Sequence, residues 1–253
     1  MGVVNVTPDS FSDGGRYLDP ADAAAHGRRL AAEGADVIDV GGESTRPGAD
    51  PVDPAEEQAR VLPVIRELAP HVRVSIDTRH AEVAEAAIGA GATLVNDVSA
   101  SLHEVAAAHG VGWVAMHMQG DPRTMQDDPR YDDVVREVRD HLVARAEVAR
   151  DAGVREVWID PGIGFGKARE HNLALLAHLD QLVATGWPVV VGTSRKGFLG
   201  RLLAGSDGVA EVSVDDRLEG SLATATWAMA QGVRMVRAHD VRPTVHAAKV
   251  VAA

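Results

Sequence analysis

Short runs of β-branched and other apolar residues recur along the chain, and each ends abruptly in a polar side chain. The first four are Gly2-Val3-Val4 into Asn5, Val37-Ile38 into Asp39, Val72 to Ile76 into Asp77, and Thr93-Leu94-Val95 into Asn96. Next come Trp113-Val114-Ala115-Met116 into His117 and Val157-Trp158-Ile159 into Asp160. The last two are Val189-Val190-Val191 into Gly192-Thr193-Ser194-Arg195-Lys196, and Met235-Val236 into Arg237 and His239. Near-continuous apolar runs of this length mark parallel strands buried on both faces. Only Val72 to Ile76 alternates, through Arg73 and Ser75. Eight such strands separated by helical stretches predict an α/β fold, the (β/α)8 TIM barrel. Polar residues at strand ends then gather at one mouth, where barrels of this kind carry their chemistry.

The intervening segments support the barrel. Ala21–Ala32, Pro54–Leu68 and Ala81–Ala90 place apolar residues three and four apart, which predicts helices. Asp19-Pro20 and Asp53-Pro54 are N-cap-plus-proline starts. Tyr131–Ala152 is the longest and most charged helical stretch, expected to project past the barrel. Gly34, Gly91, Gly110, Gly153, Gly186 and Gly232 each stand just before a strand run, where a left-handed glycine ends a helix. Helix-to-strand connections are therefore short. Strand-to-helix connections are long at Thr7–Asp19, Gly41–Asp53 and Met118–Asp132, so the loops crowd one rim.

Composition narrows the classes. With 253 residues, 45% hydrophobic and 25% charged, the expectation is one globular domain spanning residues 1–253. No apolar run approaches the ~18 residues of a membrane span, and no basic-then-apolar leader opens the chain. A cytoplasmic location is expected. Zero cysteines exclude disulfides, thiolate metal sites and a cysteine nucleophile. A net charge of −12 argues against nucleic acid or an anionic membrane as a main partner. One small anion held by a few local cations stays compatible with it.

Two glycine-rich runs resemble nucleotide loops and fail on inspection. Asp160 to Lys167 lacks the glycine a phosphate loop needs at Pro161 and the Ser or Thr at Ala168. Gly192–Gly197 is followed by Phe198 where that loop has lysine. His26, His80, His109, His178 and His246 fall on helices or their ends and read as packing or solvated histidines. No HExxH or comparable cluster points to zinc.

The strand ends Asp77, Asn96 and Asp160 form the candidate site. Two carboxylates and an amide suit a ligand edge with several N–H donors and a carbonyl, such as a guanidine-like heterocycle; the alternative is helix caps or loop salt bridges. Lys196, Arg237 and His239 follow the seventh and eighth strands, where barrels often hold phosphate. Arg46 adds a cation from a Gly/Pro-bounded loop, or is a solvated loop charge. Asn5 either offers an oxygen to Mg²⁺ or caps backbone. Strand two is expected to contribute mainly its loop, and His117 no catalytic role.

Longer motifs go further. Asn5-Val6-Thr7-Pro8-Asp9-Ser10-Phe11-Ser12-Asp13-Gly14-Gly15 resembles the first loop of the dihydropteroate synthase family. Gly41-Gly42-Glu43-Ser44-Thr45-Arg46-Pro47-Gly48, Ser75-Ile76-Asp77-Thr78, Asn96-Asp97-Val98-Ser99 and Met116-His117-Met118-Gln119-Gly120 resemble its later blocks, in order. So do Asp160 to Lys167, Ser194-Arg195-Lys196 and Arg237-Ala238-His239-Asp240. The resemblance implies condensation of 6-hydroxymethyl-7,8-dihydropterin pyrophosphate with 4-aminobenzoate, with Mg²⁺, a homodimer and sulfonamides as inhibitors. It implies that Asp77, Asn96, Asp160 and Lys196 bind the pterin, with Met116 and Gly192 lining its pocket. It gives Asn5 (with Mg²⁺), Arg237 and His239 the pyrophosphate. Thr45, Arg46, Pro47, Phe11, Phe165 and Ser194 fall on the aminobenzoate side, and Asp13 pairs with the mobile loops.

Two departures stand out. Gly197 follows Lys196 where relatives often carry a larger polar side chain, and the chain opens almost at strand one, predicting a less covered barrel bottom. The competing readings are a non-catalytic pterin-binding paralogue and a methyl-transferring pterin barrel.

Overall fold

Buried Val, Ile and Leu set the strands, and the polar residue after each run sets where it stops. The computed structural model describes residues 1–7, 19–44, 51–121 and 123–253. Its parallel strands are β1 (Gly2–Asn5), β2 (Val37–Gly41), β3 (Arg73–Asp77), β4 (Leu94–Asp97), β5 (Gly112–Met116), β6 (Val157–Asp160), β7 (Val190–Val191) and β8 (Met235–Val236). β1 to β6 pair in sequence order, and β7 pairs with β8. Parallel bridges Ile159–Val189 and Gly2–Ala238 join the two sheets. Backbone bonds reinforce those joins, Ile159 N–H to Pro188 O at 3.0 Å and Ala238 N–H to Met1 O at 2.9 Å. The predicted barrel is thus closed, with two seams of thin pairing on either side of β7–β8.

Helices wrap the strands: α1 (Pro20–Ala32), α2 (Pro54–Leu68), α3 (Ala81–Gly89), α4 (His103–His109), α5 (Val134–Asp151), α6 (Arg169–Ala177), α7 (Leu179–Val183), α8 (Gly197–Asp207), α9 (Leu218–Ala230) and α10 (Val241–Val251). The two proline starts hold, since Asp19 and Asp53 accept from the amides of Ala21 and Ala55 at 2.8 and 2.9 Å. The six helix-ending glycines all take positive φ, from +67° at Gly110 to +116° at Gly91. α5 begins later than its sequence pattern suggested, because Asp133 caps it through the Arg136 amide. Tyr131 lies outside that helix and donates its hydroxyl to Gly166 O at 2.8 Å. Among the described residues no helix is long and apolar enough to cross a membrane.

The main core lies between strands and helices, with Val4, Val40, Ile76, Trp113 and Ile159 packed against Leu30, Val61, Leu68, Leu142 and Leu175. A small second cluster of Val37, Leu94, Val114 and Val190, with Trp158 and Met235 against it, comes from strands and fills the barrel interior. The alternation in β3 also finds its cause. Arg73, at the strand's start, forks onto Glu156 at 2.7 and 2.9 Å, far from the mouth.

The β4–α4 turn hangs on one buried carboxylate. Asp97 accepts from the amides of Ser99, Ser101 and Leu102 at 2.9, 2.6 and 2.6 Å and from Trp113 Nε1 at 3.1 Å. Hydrogen bonds to a charged group are the strong ones, and removing one partner strands the others without water. Asp97→Ala is expected to destabilise the protein by about 3 kcal/mol or more in chemical denaturation. His26, buried in α1, supplies a pH dependence. Burial, aided by Arg29 and Arg195, pushes its pKa down from 6.5 to about 4. Its folded state resists protonation, so the stability it contributes is full above its unfolded pKa and is lost as pH falls towards 4. The loss should be roughly 1–3 kcal/mol, and His26→Asn should flatten that limb of a melting-temperature profile.

Candidate active site at the barrel mouth

The strand ends converge as expected on a cavity of about 750 Å³ at the mouth. Asn5, Asp77, Asn96, Met116, Asp160, Phe165, Gly192, Ser194, Lys196, Arg237 and His239 all line it. Phe11, Asp13, Thr45, Arg46 and Pro47 lie outside the described residues.

At its centre Arg237 holds two carboxylates at once. Its Nε donates to Asp39 Oδ2 at 2.6 Å and its Nη2 to Asp77 Oδ2 at 2.7 Å. Asn96 Nδ2 donates to the same Asp39 oxygen at 2.9 Å. Strand two therefore contributes more than its loop, and Asp39, fully buried, is the site residue that strand-end reasoning left without a role. Its signal was the carboxylate in mid-strand; its partner Arg237 is 198 positions away. Burial disfavours the charge on Arg237, but Asp39 and Asp77 more than offset this and hold it above its usual pKa.

Burial pushes Asp77 up to about 7 despite Arg237, helped by the neighbouring charges of Asp39, Asp97 and Asp160. Asp160 is likewise raised by burial, opposed by Lys196 and by the Gly162 amide that donates to it at 2.7 Å. Burial lowers Lys196 to about 8, with Asp160 working against it. Lys196 Nζ donates to Ile163 O and stands 4.4 Å from the centre of the Phe165 ring. The mouth thus offers acidic and basic groups whose protonation lies near neutrality, a mark of functional sites.

The glycine-rich run after β6 is built for close approach, not for nucleotide. At Gly162, φ is +63° and a Cβ would stand 1.9 Å from His117 O, so only glycine fits. Lys167, which motif matching had placed in a failed phosphate loop, is buried beneath this loop. Its Nζ meets His117 Nδ1 at 2.9 Å and donates to Gly162 O and Phe165 O at 3.0 Å each. Burial lowers it to about 7, and Lys196 pushes the same way. His117, lowered to about 3 by burial and then by Lys167, is a neutral packing partner of that ammonium. Gln126 Nε2 to Gly164 O and Gly164 N–H to Asn172 Oδ1, both 2.7 Å, complete the clamp.

The loop after β7 is tied as firmly. Arg195 has a positive φ of 59°, a strained value for a non-glycine residue. Asp240 at 2.7 Å and Ser221 at 2.9 Å hold it there, while Arg217 donates to its carbonyl at 3.0 Å. Ser194, just before it, faces β8, where His239 N–H donates to its hydroxyl at 3.1 Å and His239 Nδ1 lies 3.0 Å from it. Gly197 opens α8 at the rim, leaving space beside Arg201 and Glu211 where a side chain would meet them.

Such a mouth can grip a flat, donor-rich ring among Asp77, Asn96 and Asp160 and an anion beside Arg237 and His239. Known proteins with this sequence pattern agree in kind. Residues 1–239 match the pterin binding enzyme family. The dihydropteroate synthase of Mycobacterium leprae is 50% identical over 262 aligned positions, covering 100% of this chain and 92% of that protein. The Yersinia pestis dihydropteroate synthase, solved with a sulfonamide drug, superposes with a TM-score of 0.93 at 42% identity over 100% of this chain and 92% of that one. The Xanthomonas albilineans enzyme, solved with 4-aminobenzoic acid, gives 0.89 at 46% identity over 99% and 90%. With identity at this level along its whole length, the chain belongs to the dihydropteroate synthase family of pterin-binding enzymes.

Proposed function

We propose that this single barrel domain, residues 1–253, condenses 6-hydroxymethyl-7,8-dihydropterin pyrophosphate with 4-aminobenzoate, giving dihydropteroate and pyrophosphate. The observation that carries the residue assignments is the convergence of Asp77, Asn96, Asp160, Lys196 and Arg237 on one cavity. The pterin's N–H edge meets Asp77, Asn96 and Asp160. Lys196 donates to its carbonyl and ring-nitrogen side, and Met116 and Gly192 line the flat faces. Arg237 spends Nε and Nη2 on Asp39 and Asp77, which leaves Nη1 to donate to pyrophosphate without releasing either carboxylate. His239 sits beside it on the same strand end.

Asn5 lines the cavity and fits Mg²⁺, which takes few protein oxygens and fills its shell with phosphate and water. When bound, that ion neutralises charge on the leaving pyrophosphate. Arg237 and His239 steady the same oxygens as the C–O bond of the pterin methylene breaks. The neutral arylamine of aminobenzoate attacks the electron-poor methylene, a C–N bond forms, and the amine proton leaves to solvent. Phe165 and Ser194 bound the aminobenzoate, with Thr45, Arg46, Pro47 and Phe11 completing that side and Asp13 pairing with the loops. Sulfonamides are expected to compete there. A cytoplasmic homodimer fits as well, the exposed Trp227, Val250 and Val251 on α9 and α10 supplying an apolar face.

Lys196→Ala and Asp77→Ala should each cut pyrophosphate release from the two substrates by at least about a hundredfold. A rate near that of the wild type in either variant would refute the assignment. Lys196 also predicts a pH limb. Its ammonium is lost as pH rises through about 8, so kcat/KM should fall above that value. Lys196→Arg should keep whatever activity it retains on the alkaline side, which a pH–rate profile reads directly.

A further inference from the structure

At the edge of the substrate cavity, which Glu43 helps to line, three acidic and imidazole side chains meet beside the ends of β2 and β3. Glu43 follows β2, Glu57 lies in the first turn of α2, and His80 precedes α3. His80 Nε2 stands 3.6 Å from Glu43 Oε2 and 4.0 Å from Glu57 Oε2. One ligand atom from each of the three lies within 4.8 Å of the others.

The unusual feature is that Glu57 and His80, unlike Glu43, lack hydrogen bonds to their inward-facing atoms. Glu57 is fully buried, and no well-formed hydrogen bond reaches either of its carboxylate oxygens, the Thr78 side chain alone lying near enough to compensate in part. His80 Nε2 is buried too and makes no hydrogen bond, facing the two carboxylates only at ion-pair distance. Of the six such side-chain atoms among the described residues, three are these. A buried carboxylate without compensation is costly, so so dense a set of orphans calls for a missing positive partner. Arg79 cannot be it. Its Nε and Nη2 fork onto Glu43 at 3.0 Å each, and among the described residues no Lys or Arg pairs with Glu57. The backbone is shaped for the approach. A Cβ on Gly42 would stand 2.9 Å from Glu57 Cγ, and Thr78 Oγ1 accepts the His80 amide at 3.1 Å, fixing the imidazole's base.

We propose that Glu43, Glu57 and His80 form a binding site for a divalent transition-metal ion of the Zn²⁺ class. One imidazole nitrogen with carboxylate oxygens is a donor set such ions favour. Bonds of about 2.0–2.2 Å place tetrahedral ligand atoms roughly 3.3 Å apart, so the imidazole closes on the carboxylates from 3.6 and 4.0 Å, and the two carboxylates on each other from within 4.8 Å. A fourth position stays with water, and Arg79 acts as the outer partner that orients Glu43. The ion would tie the chain after β2, α2 and α3 together two residues before Thr45. It needs no pyrophosphate, which separates it from the Mg²⁺ beside Asn5.

The test is calorimetric titration of the metal-free, substrate-free full-length protein with Zn²⁺, paired with thermal melting. One saturable ion per chain and a raised melting temperature are expected. Glu57→Gln and His80→Ala should each weaken binding by more than about tenfold, while Asn5→Ala leaves it unchanged. Circular dichroism checks that each variant is folded; His80 is partly exposed, so its truncation serves if Glu57→Gln does not fold. The absence of a saturable site overturns the proposal, and so does binding that survives in His80→Ala, which would assign the ion to other side chains.

Discussion

The guanidinium of Arg237 is the constraint on which the mouth depends. It comes from the last strand of the barrel and reaches carboxylates on the second and third, with Asn96 of the fourth tied to the same oxygen. A planar fork with fixed donor directions suits that task, where the flexible point charge of a lysine would not. Two aspartates so close, Asp39 buried and Asp77 partly so, would repel strongly without it. With it, both keep their places, and Asp77 is poised between charged and neutral forms. On the proposed assignments, the geometry that would read the heterocycle is a by-product of the cation that would face the phosphate side.

Below the mouth, the loops are held by groups that do not need to touch a ligand. Lys167 draws together carbonyls of the β6 loop and the ring of His117, so glycines that alone would be loose become a fixed wall. Asp240, Ser221 and Arg217 do the same for the strained backbone at Arg195. Both devices fix the loop bases with side chains that also border the cavity, Lys167, Arg195 and Arg217 among them. Preorganisation of this kind keeps the cost of ordering out of the binding step.

Much of this was legible in sequence, for a physical reason. Strand runs buried on both faces have a plain pattern, so their ends are easy to place, and Asp77, Asn96, Asp160 and Lys196 were found by position. The helices at Pro54–Leu68 and at Pro20–Ala32 were marked by caps that the chain writes locally. What escaped depended on contacts between distant positions. Asp39 reads like any strand-end acid until Arg237 is seen beside it. Lys167 reads as the end of a failed nucleotide motif because its burial beside Gly162 and His117 is invisible in one dimension. Glu57, next to Glu56 in an acidic first turn, looks like ordinary helix-dipole complementation. Only packing reveals that one of the two points inward.

The thin pairing on either side of β7–β8 has a consequence for how the barrel answers its ligand. Asp160 stands on β6, whereas Lys196 follows β7, so the two lie on opposite banks of one seam. Across the other, Asn5 belongs to β1 and Arg237 to β8. A molecule gripped by all four side chains spans both gaps and works as a cross-brace, supplying between the sheets the linkage that few backbone bonds provide. Strand closure and ligand capture are then one equilibrium, and the strength of each is part of the measured strength of the other.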